Sequence, residues 1–329
     1  MNQLPDEPFA LIVGTGNAAL GEALARELHV APSRCDIGRF PDGEVSVTLH
    51  ETVRGRDVFI LQPTSPPVDE NLIELLALVD VARRASAARV IAVTPYFGYA
   101  RSDKRRHPGE PIMASAAARA LEGAGVDHLI AFDLHAAQIE GFFRIPVDSL
   151  NAAPILCEAL RGSLPPESVI VSPDEGGVKT ATVYARLLGA PVAVVRKERL
   201  SGTETHSTDV AGDVRGRACV IVDDMISTGG TIEGAIEALR AAGGRQEIFV
   251  AATHGLLLSG AVERLCHEAV REVFLSDTIH IRQHSPQLRV VSVAPLLAET
   301  IRGIALPPAN GGCLKDLNRN GRASHVWGD

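Results

Sequence analysis

Short apolar segments rich in Val and Ile alternate with longer helical patterns along nearly the whole chain, and this alternation constrains the fold more than any other feature. The segments that predict buried strands are Phe9–Val13, Asp57–Leu61, Val90–Val93, Leu129–Phe132, Val169–Val171, Val192–Val195, Cys219–Val222, Ile248–Ala251 and Glu272–Leu275. The segments that predict helices are Leu20–Leu28, Asn71–Ser86, Ile112–Glu122, Ile155–Leu160, Lys179–Leu187, Ile232–Ala241 and Ala261–Glu268. Strand–helix–strand order predicts an α/β protein with mostly parallel sheets flanked by helices.

One short sequence occurs twice. Val-Arg-Gly-Arg occupies 53–56 and again 214–217, and a strand, a polar turn, a long helix and another strand follow each copy. In a chain of 329 residues this order predicts two similar domains, at roughly 150 residues each. We place the first domain at 1–152 and the second at 153–290. A C-terminal helix at 291–306 and a loose tail at 307–329 follow.

Composition excludes several classes of protein. Lys and Arg number 32 against 40 Asp and Glu, so the net charge of −8 disfavours a nucleic-acid partner. No apolar run reaches the ~18 residues of a membrane span. The acidic start at Met1–Pro8 is unlike a secretory leader. Five cysteines without a Cys-x-x-Cys pair predict buried, reduced thiols. We therefore expect a cytoplasmic protein without a membrane partner.

The most informative segment is Val220–Ile232, in which a strand ends in two adjacent carboxylates, Asp223 and Asp224. The turn that opens the next helix contains Ser227, Thr228, Gly229, Gly230 and Thr231. Glycines let a ligand approach the backbone, and the N–H groups of a helix start attract an anion such as a phosphate. The carboxylates would repel that phosphate, but they suit the hydroxyl groups of an attached sugar, directly or through Mg²⁺. The segment therefore predicts a site for a sugar phosphate such as ribose 5-phosphate.

This segment resembles the phosphoribosyl-diphosphate-binding loop of type I phosphoribosyltransferases. Two longer strings, Pro95–Lys104 and Asp133–Phe143, resemble the ribose-phosphate diphosphokinases, and phosphoribosyltransferases lack them. Shorter matches at 40–44, 172–177 and 292–297 follow in the family's order, so the resemblance covers nearly the whole chain. It implies two domains of the phosphoribosyltransferase fold. It also implies transfer of the diphosphoryl group of ATP to the 1-hydroxyl of ribose 5-phosphate, with release of AMP, for nucleotide biosynthesis.

The resemblance also implies roles for individual residues. The implied catalytic positions are Lys197 and Arg199. The implied ATP-binding positions are Phe40, Asp42, Gly43, Glu44, Arg101, Ser102 and His135. The positions implied to bind ribose 5-phosphate are Arg199, Asp223, Asp224, Ser227, Thr228, Gly229, Gly230 and Thr231, and those implied to contact Mg²⁺ are His135 and Asp174. In the family the segment around Phe40, which itself predicts a β-turn, comes from a neighbouring subunit. A homo-oligomer is implied, and hexamers are usual.

The first half of the chain lacks a second sugar-phosphate site. Gln62-Pro63-Thr64-Ser65 occupies the place of the acid pair, without its carboxylates or the Thr-Gly-Gly turn. One ribose site per chain is therefore expected.

Three positions depart from the family's pattern. Glu198 stands where Arg is commoner, and Ser102 stands where Gln is common. Arg144 matches a position described in some members as a metal contact, together with Asp133 and Asp148, although an Arg cannot bind a cation. The polar segment at 200–210 predicts a loop that closes over bound nucleotide.

Three other functions compete with this interpretation. Gly14-Thr15-Gly16-Asn17-Ala18-Ala19 fits the dinucleotide-binding pattern GxGxxA, with Asp36 about 20 residues on, which would indicate a dehydrogenase. A tight strand-to-helix turn explains the same residues. A phosphoribosyltransferase would share the sugar-phosphate loop, and a catalytically silent regulatory homologue would bind the active enzyme. Retention of Lys197, Asp223 and His135 argues against the silent homologue.

Overall fold

The chain forms two compact units. The computed structural model describes residues 9–199 and 205–305, and it gives only the backbone at 197–199 and 205–208. Unit 1 contains the described residues up to Ser149 and those from Val293 onward, and unit 2 contains Leu150–Ser292. The helix predicted at 291–306 belongs to unit 1. The predicted tail at 307–329 lies outside the described residues.

The elements are numbered in chain order. The strands are β1 (Phe9–Val13), β2 (Cys35–Arg39), β3 (Val45–Leu49), β4 (Asp57–Leu61), β5 (Arg89–Val93), β6 (His128–Phe132), β7 (Val147–Leu150), β8 (Val169–Ser172), β9 (Val192–Arg199), β10 (Thr205–Ala211), β11 (Cys219–Ile226), β12 (Ile248–Gly255), β13 (Val270–Ser276) and β14 (Leu288–Val291). The α-helices are α1 (Ala18–Leu28), α2 (Val68–Arg84), α3 (Met113–Ala124), α4 (Ala153–Arg161), α5 (Val178–Leu188), α6 (Gly230–Ala241), α7 (Ala261–Leu265) and α8 (Ala294–Ala305). Short 3-10 helices occupy Thr15–Asn17 and Ala137–Phe142.

Unit 1 is built on a five-stranded sheet in the order β1-β4-β5-β6-β7. Pairing is parallel from β1 through β6, and such strands need apolar side chains on both faces because helices cover them. Ile12, Ile60 and Ala92 of these strands belong to one buried core with Leu78 of α2 and Leu121 of α3. The strands β2 and β3 pair antiparallel as a separate hairpin.

Unit 2 is built on a seven-stranded sheet in the order β10-β9-β8-β11-β12-β13-β14. All recorded pairs are parallel except β10 with β9. Ile221 of the interior strand β11 lies between Val171 and Val250, and all three are buried in one core with Ile236 and Leu239 of α6. The carboxyl ends of β8, β11 and β12 therefore lie along one edge of the sheet, where α/β proteins bind their ligands.

The structure has the predicted α/β architecture, with two corrections to its elements. The segment 205–210 is not part of a polar loop, because Thr205–Ala211 forms β10 and pairs with β9. Its Thr and Val residues suit a strand. The helix predicted to reach Glu268 ends at Leu265, and a turn in which the Val270 N–H donates to the His267 carbonyl leads into β13. Residues 200–204 of the predicted loop lie outside the described residues.

Two further sequence predictions concern thiols and membrane spans. Cys157 and Cys219 are buried as predicted, whereas Cys35 and Cys266 are only half-buried. All four are free thiols, and Cys313 lies outside the described residues. Within the described residues, no helix has the length and hydropathy of a membrane span.

Candidate active site

The acid pair of unit 2 lies at the carboxyl end of an interior strand. β11 pairs with β8 only as far as Ile221, and its pairing with β12 continues to Ile226. Asp223 and Asp224 follow the last residue that pairs with β8, and both are half-buried. The strand therefore presents two carboxylates where its neighbour has ended, at the edge where ligands bind.

The electrostatics of this acid pair favour a proton or a cation. Burial raises the pKa of Asp223 from its ordinary 3.8 to about 8, and the charge of Asp224 acts in the same direction. The charge of Asp174, which follows β8, contributes to the same rise. Asp174 is held in place by the N–H groups of Gly176 and Gly177, which donate to its Oδ1 at 2.9 and 3.1 Å. Three carboxylates thus lie within electrostatic reach of one another.

The turn after β11 has backbone N–H groups that donate to no acceptor within the described residues, and we call these N–H groups open. Gly229 precedes α6 with a φ of +80°, a left-handed conformation that favours glycine, and no side chain caps the helix start. Within the described residues, no group accepts a hydrogen bond from the backbone N–H groups of 227–231. Unsatisfied N–H groups at the positive end of a helix dipole are a binding site for an anion.

Carbonyl groups at the start of the same turn accept hydrogen bonds from a neighbouring segment of the chain. We call residues 256–264 the backing segment. The N–H groups of Leu256 and Leu257 donate to the Ile226 carbonyl at 2.9 and 3.2 Å, and the Leu258 N–H donates to the Ser227 carbonyl at 2.9 Å. The carbonyl groups of the turn are therefore hydrogen-bonded to the backing segment, whereas its N–H groups have no acceptor within the described residues.

One residue that contacts the turn was missed by sequence reasoning. Arg264 of α7 donates from Nη1 to the carbonyl oxygen of Thr228 at 2.7 Å, and its Nε lies 3.3 Å from Oε2 of Glu233. Arg264 is 36 residues away from Thr228 in sequence and belongs to no motif. No signal in a single sequence could have linked the two.

The predicted catalytic positions lie on a two-stranded ribbon of unit 2. β9 pairs with β8 only as far as Val194 and then continues with β10, so that Lys197 lies opposite Thr208 and Arg199 opposite Thr205. The backbone thus places both positions beyond the paired carboxyl end of β8. Their catalytic role stays a prediction.

The predicted adenine-binding segment of unit 1 is the turn of the β2–β3 hairpin. The Gly43 N–H donates to the Phe40 carbonyl at 2.8 Å, which confirms the predicted β-turn, and Gly43 has a φ of +93°. The Oδ1 of Asp42 accepts from the Glu44 N–H at 3.1 Å. Phe40 is 53% exposed. Its face is therefore available to an aromatic base.

The other predicted ATP-binding residues of unit 1 lie on two separate loops. Arg101 is exposed beside Ser102, whose Oγ accepts from the Met113 N–H at 3.2 Å at the start of α3. His135 is exposed in the loop after β6, two residues beyond Asp133, which has a φ of +33°. The left-handed backbone at a residue with a side chain marks a constrained loop, and such residues cluster at functional sites.

The glycine pattern that indicates a dehydrogenase forms a closed turn. The N–H and hydroxyl of Thr15 both donate to Glu74 at 2.6 Å, and the Gly16 N–H donates to Oε1 of Gln62 at 2.9 Å. A Cβ on Gly14 would lie 2.3 Å from the same Gln62 atom. The donors that would bind a dinucleotide are occupied, and Glu74 would repel its phosphates. These contacts support the tight strand-to-helix turn.

Comparisons with known proteins match both halves of the chain. Residues 9–125 match the N-terminal domain of ribose phosphate pyrophosphokinase, and residues 162–264 match the phosphoribosyl transferase domain. The ribose-phosphate pyrophosphokinase of Rhodopirellula baltica is 46% identical over 296 residues, 88% of this chain and 93% of that protein. The one from Ralstonia nicotianae is 44% identical over 305 residues, with 92% and 96% covered. The phosphoribosylpyrophosphate synthetase of Mycobacterium smegmatis has a similar structure, with a TM-score of 0.86, 40% identity, and 91% of this chain and 99% of that chain covered.

Proposed function

The chain belongs to the ribose-phosphate pyrophosphokinase family, and we propose that it transfers the diphosphoryl group of ATP to the 1-hydroxyl of ribose 5-phosphate, releasing AMP. The observation that carries the proposal is the pairing of two half-buried carboxylates, Asp223 and Asp224, with an uncapped turn whose N–H groups are open. One ligand with a phosphate at one end and hydroxyl groups at the other satisfies both.

Each half of the site has a separate role. The open N–H groups at 227–231 and the hydroxyl groups of Ser227, Thr228 and Thr231 bind the 5-phosphate. Asp223 and Asp224 accept hydrogen bonds from the ring hydroxyls, which orients the sugar with its 1-hydroxyl free to attack. Holding the nucleophile in one orientation is a large part of catalysis in phosphoryl transfer.

The site fits a divalent metal ion, which we propose is Mg²⁺. The charges of Asp174 and Asp224 already disfavour ionisation of Asp223, and a cation among them would relieve that repulsion. In the described part of the chain, no group of three or more His, Cys, Asp or Glu side chains forms a ligand set. Mg²⁺ suits this arrangement because it uses one or two carboxylates and keeps waters and substrate phosphates as its other ligands. When bound, it would neutralise charge on phosphoryl oxygens.

The cationic side chains complete the chemistry. We assign Lys197 and Arg199 to the diphosphoryl group, where they stabilise the charge that develops on its oxygens as the bond to AMP breaks. Arg199 also binds ribose 5-phosphate. Their place on β9 beyond the carboxyl end of β8 supports this assignment.

ATP binding draws on unit 1. The exposed ring of Phe40 suits stacking on adenine, and the carboxylates of Asp42 and Glu44 suit its exocyclic amine. Arg101, Ser102 and His135 bind the remainder of the nucleotide, and His135 also contacts the metal ion. The hairpin comes from a second copy of the chain, so the active protein is a homo-oligomer, and a hexamer is the proposed size. The proposed compartment is the cytoplasm.

The proposal is tested by incubating the protein with ATP, Mg²⁺ and ribose 5-phosphate and resolving the products. We expect AMP and a 1-diphosphorylated sugar in equal amounts, and no AMP when the sugar or metal is omitted. Release of ADP with a singly phosphorylated C1 would contradict the reaction. In a second incubation with 5-phospho-ribose 1-diphosphate, diphosphate release that depends on an added base would identify a phosphoribosyltransferase. Absence of turnover in both incubations would identify the silent homologue.

A further inference from the structure

We propose that Arg264 is a positioning residue that aims the backbone of the turn at 227–230 toward the 5-phosphate; this inference rests on the proposed function. Within the described residues, Arg264 is the one side chain that donates to a carbonyl of this turn, at 2.7 Å from Thr228 O. The carbonyls of Ile226 and Ser227 are held by backbone N–H groups of the backing segment. The Gly229 carbonyl accepts from the Glu233 N–H of α6.

The geometry of the peptide bond links this contact to the phosphate. A trans peptide is planar, and its C=O and N–H point in opposite directions. Fixing the carbonyl of Thr228 therefore fixes the direction of the Gly229 N–H on the other side of the same plane. That N–H is one of the open donors of the turn. Without Arg264, glycine's broad conformational range would let this peptide rotate.

The guanidinium group also joins the turn to the helix that follows it. Its Nε lies 3.3 Å from Oε2 of Glu233, in the first turn of α6, while its Nη1 holds Thr228. A planar guanidinium presents several donors in a fixed fork, so it can make both contacts at once, whereas a lysine ammonium has no such fork. Arg264 thus sets the turn relative to α6.

The turn and α7 lie next to each other. A Cβ on Gly229 would lie 3.4 Å from the Ala261 carbonyl oxygen and 3.5 Å from Cβ of Arg264. A Cβ on Gly260, which precedes α7, would lie 3.5 Å from Nη1 of Arg264. The turn and α7 are therefore neighbours at ordinary van der Waals spacing, and the side chain of Arg264 is 40% exposed. The proposal assigns it no contact with the substrate.

The first test compares Arg264→Ala, Arg264→Lys and the control Arg289→Ala, which removes a surface ion pair with Glu272 in the same unit. Loss of one charged hydrogen bond predicts about a tenfold rise in KM and Kd for ribose 5-phosphate in Arg264→Ala. The KM for ATP and the melting temperature should change little. Arg264→Lys should recover part of the affinity, and Arg289→Ala should match the wild type. An unchanged Kd for the sugar, or equal loss for both substrates, would overturn the proposal.

A second measurement separates this proposal from the proposed function. Hydrogen exchange of the ligand-free protein needs no turnover and reports on the peptide covering 226–233, in which the Glu233 N–H is protected by its hydrogen bond to the Gly229 carbonyl. We expect faster exchange in this peptide for Arg264→Ala and no change for Arg289→Ala. Unchanged exchange in Arg264→Ala would contradict the positioning role even if the enzyme is active. Faster exchange in Arg264→Ala, together with a wild-type protein that neither binds ribose 5-phosphate nor forms AMP, would instead contradict the proposed function.

Discussion

The two units contain the same structural repeat but differ at the end of one strand. The sequence Val-Arg-Gly-Arg precedes β4 in unit 1 and β11 in unit 2. In each copy the glycine has a left-handed backbone, with φ of +71° at Gly55 and +68° at Gly216. Each glycine donates its N–H, at 2.9 Å, to a carbonyl just beyond the following helix, Ser86 after α2 and Gly243 after α6. The amino ends of the two strands are therefore built alike.

The carboxyl ends of these strands are built differently. Counted from the repeat, Gln62 of unit 1 occupies the position of Asp223 in unit 2. Gln62 is fully buried, accepts from the Gly16 N–H, and donates from Nε2 to Oδ1 of Asn71 at 3.2 Å. Asp223 is a half-buried acid with a raised pKa and an open turn after it. At the carboxyl end of β4, Gln62 makes its hydrogen bonds within unit 1, whereas the turn after β11 has N–H groups with no acceptor within the described residues.

A second contrast concerns the hairpin that precedes each of these strands. The β2–β3 hairpin forms a separate sheet in unit 1, whereas β9–β10 joins the main sheet of unit 2.

Lys197→Ala on β9 should give the largest effect, a loss of about 10³-fold in kcat, since it removes a charge from the transition state. The Kd for ribose 5-phosphate, measured by calorimetry, should hardly change. Arg186→Ala, an exposed cation in the last turn of α5, is the control. Equal loss of sugar binding and turnover would show that the role is misassigned.

Asp223→Gln gives unit 2 the residue that unit 1 has at the corresponding position. In the Mg²⁺-loaded protein, loss of the carboxylate acceptor for the ring hydroxyls should weaken ribose 5-phosphate binding by about a hundredfold. The affinity for ATP should be retained, and both constants can be measured by equilibrium binding. Asp209→Asn, which removes an exposed carboxylate of β10, serves as the control. An unaltered sugar affinity in Asp223→Gln would count against the sugar-hydroxyl role.

Glu74→Leu removes one of the acceptors that close the glycine-containing turn after β1 in unit 1. It removes the buried acceptor of two hydrogen bonds from Thr15, which is itself exposed, and this should lower the free energy of unfolding by about 2 kcal/mol. Glu74→Gln keeps one acceptor oxygen and should cost less. Chemical denaturation measures both variants. Ribose 5-phosphate affinity should be unchanged, and a loss of affinity without a loss of stability would contradict the purely internal role of this network.

The raised pKa of Asp223 predicts that this residue makes the free energy of unfolding depend on pH, which Gln62 cannot do because it does not titrate. The folded protein keeps the Asp223 proton above pH 3.8, where the unfolded carboxyl loses it. The stability that Asp223 contributes is therefore present at low pH and is lost as pH rises toward about 8. Relative to wild type, metal-free Asp223→Asn should gain up to about 1.4 kcal/mol in unfolding free energy per pH unit across this range. A difference independent of pH would show that Asp223 titrates normally.

The buried strands could be predicted from sequence because their apolar runs are continuous. Phe9–Val13 and Asp57–Leu61 have the predicted bounds. No such run marks β2 or β14, whose residues are mostly half-buried or exposed, and neither was predicted. The polar residues of β10 predict a loop, because nothing in their pattern indicates the pairing with β9.

The acid pair and its turn could be predicted because they are contiguous in sequence. The contacts that surround them depend on residues far apart in the chain. Glu74 and Thr15 are 59 residues apart, and Arg264 and Thr228 are 36 apart. A carboxylate or guanidinium in a helix is usually a solvent-exposed group. The sequence alone therefore does not distinguish Glu74 or Arg264 from ordinary surface residues.

Calorimetric titration of the Mg²⁺-loaded protein with ribose 5-phosphate, without ATP, tests the central contrast between the units most directly. The account predicts one molecule of ribose 5-phosphate bound per chain in the wild type and in Arg289→Ala, and an affinity about a hundredfold weaker in Asp223→Gln. Two molecules per chain, no binding to the wild type, or undiminished binding to Asp223→Gln would contradict it.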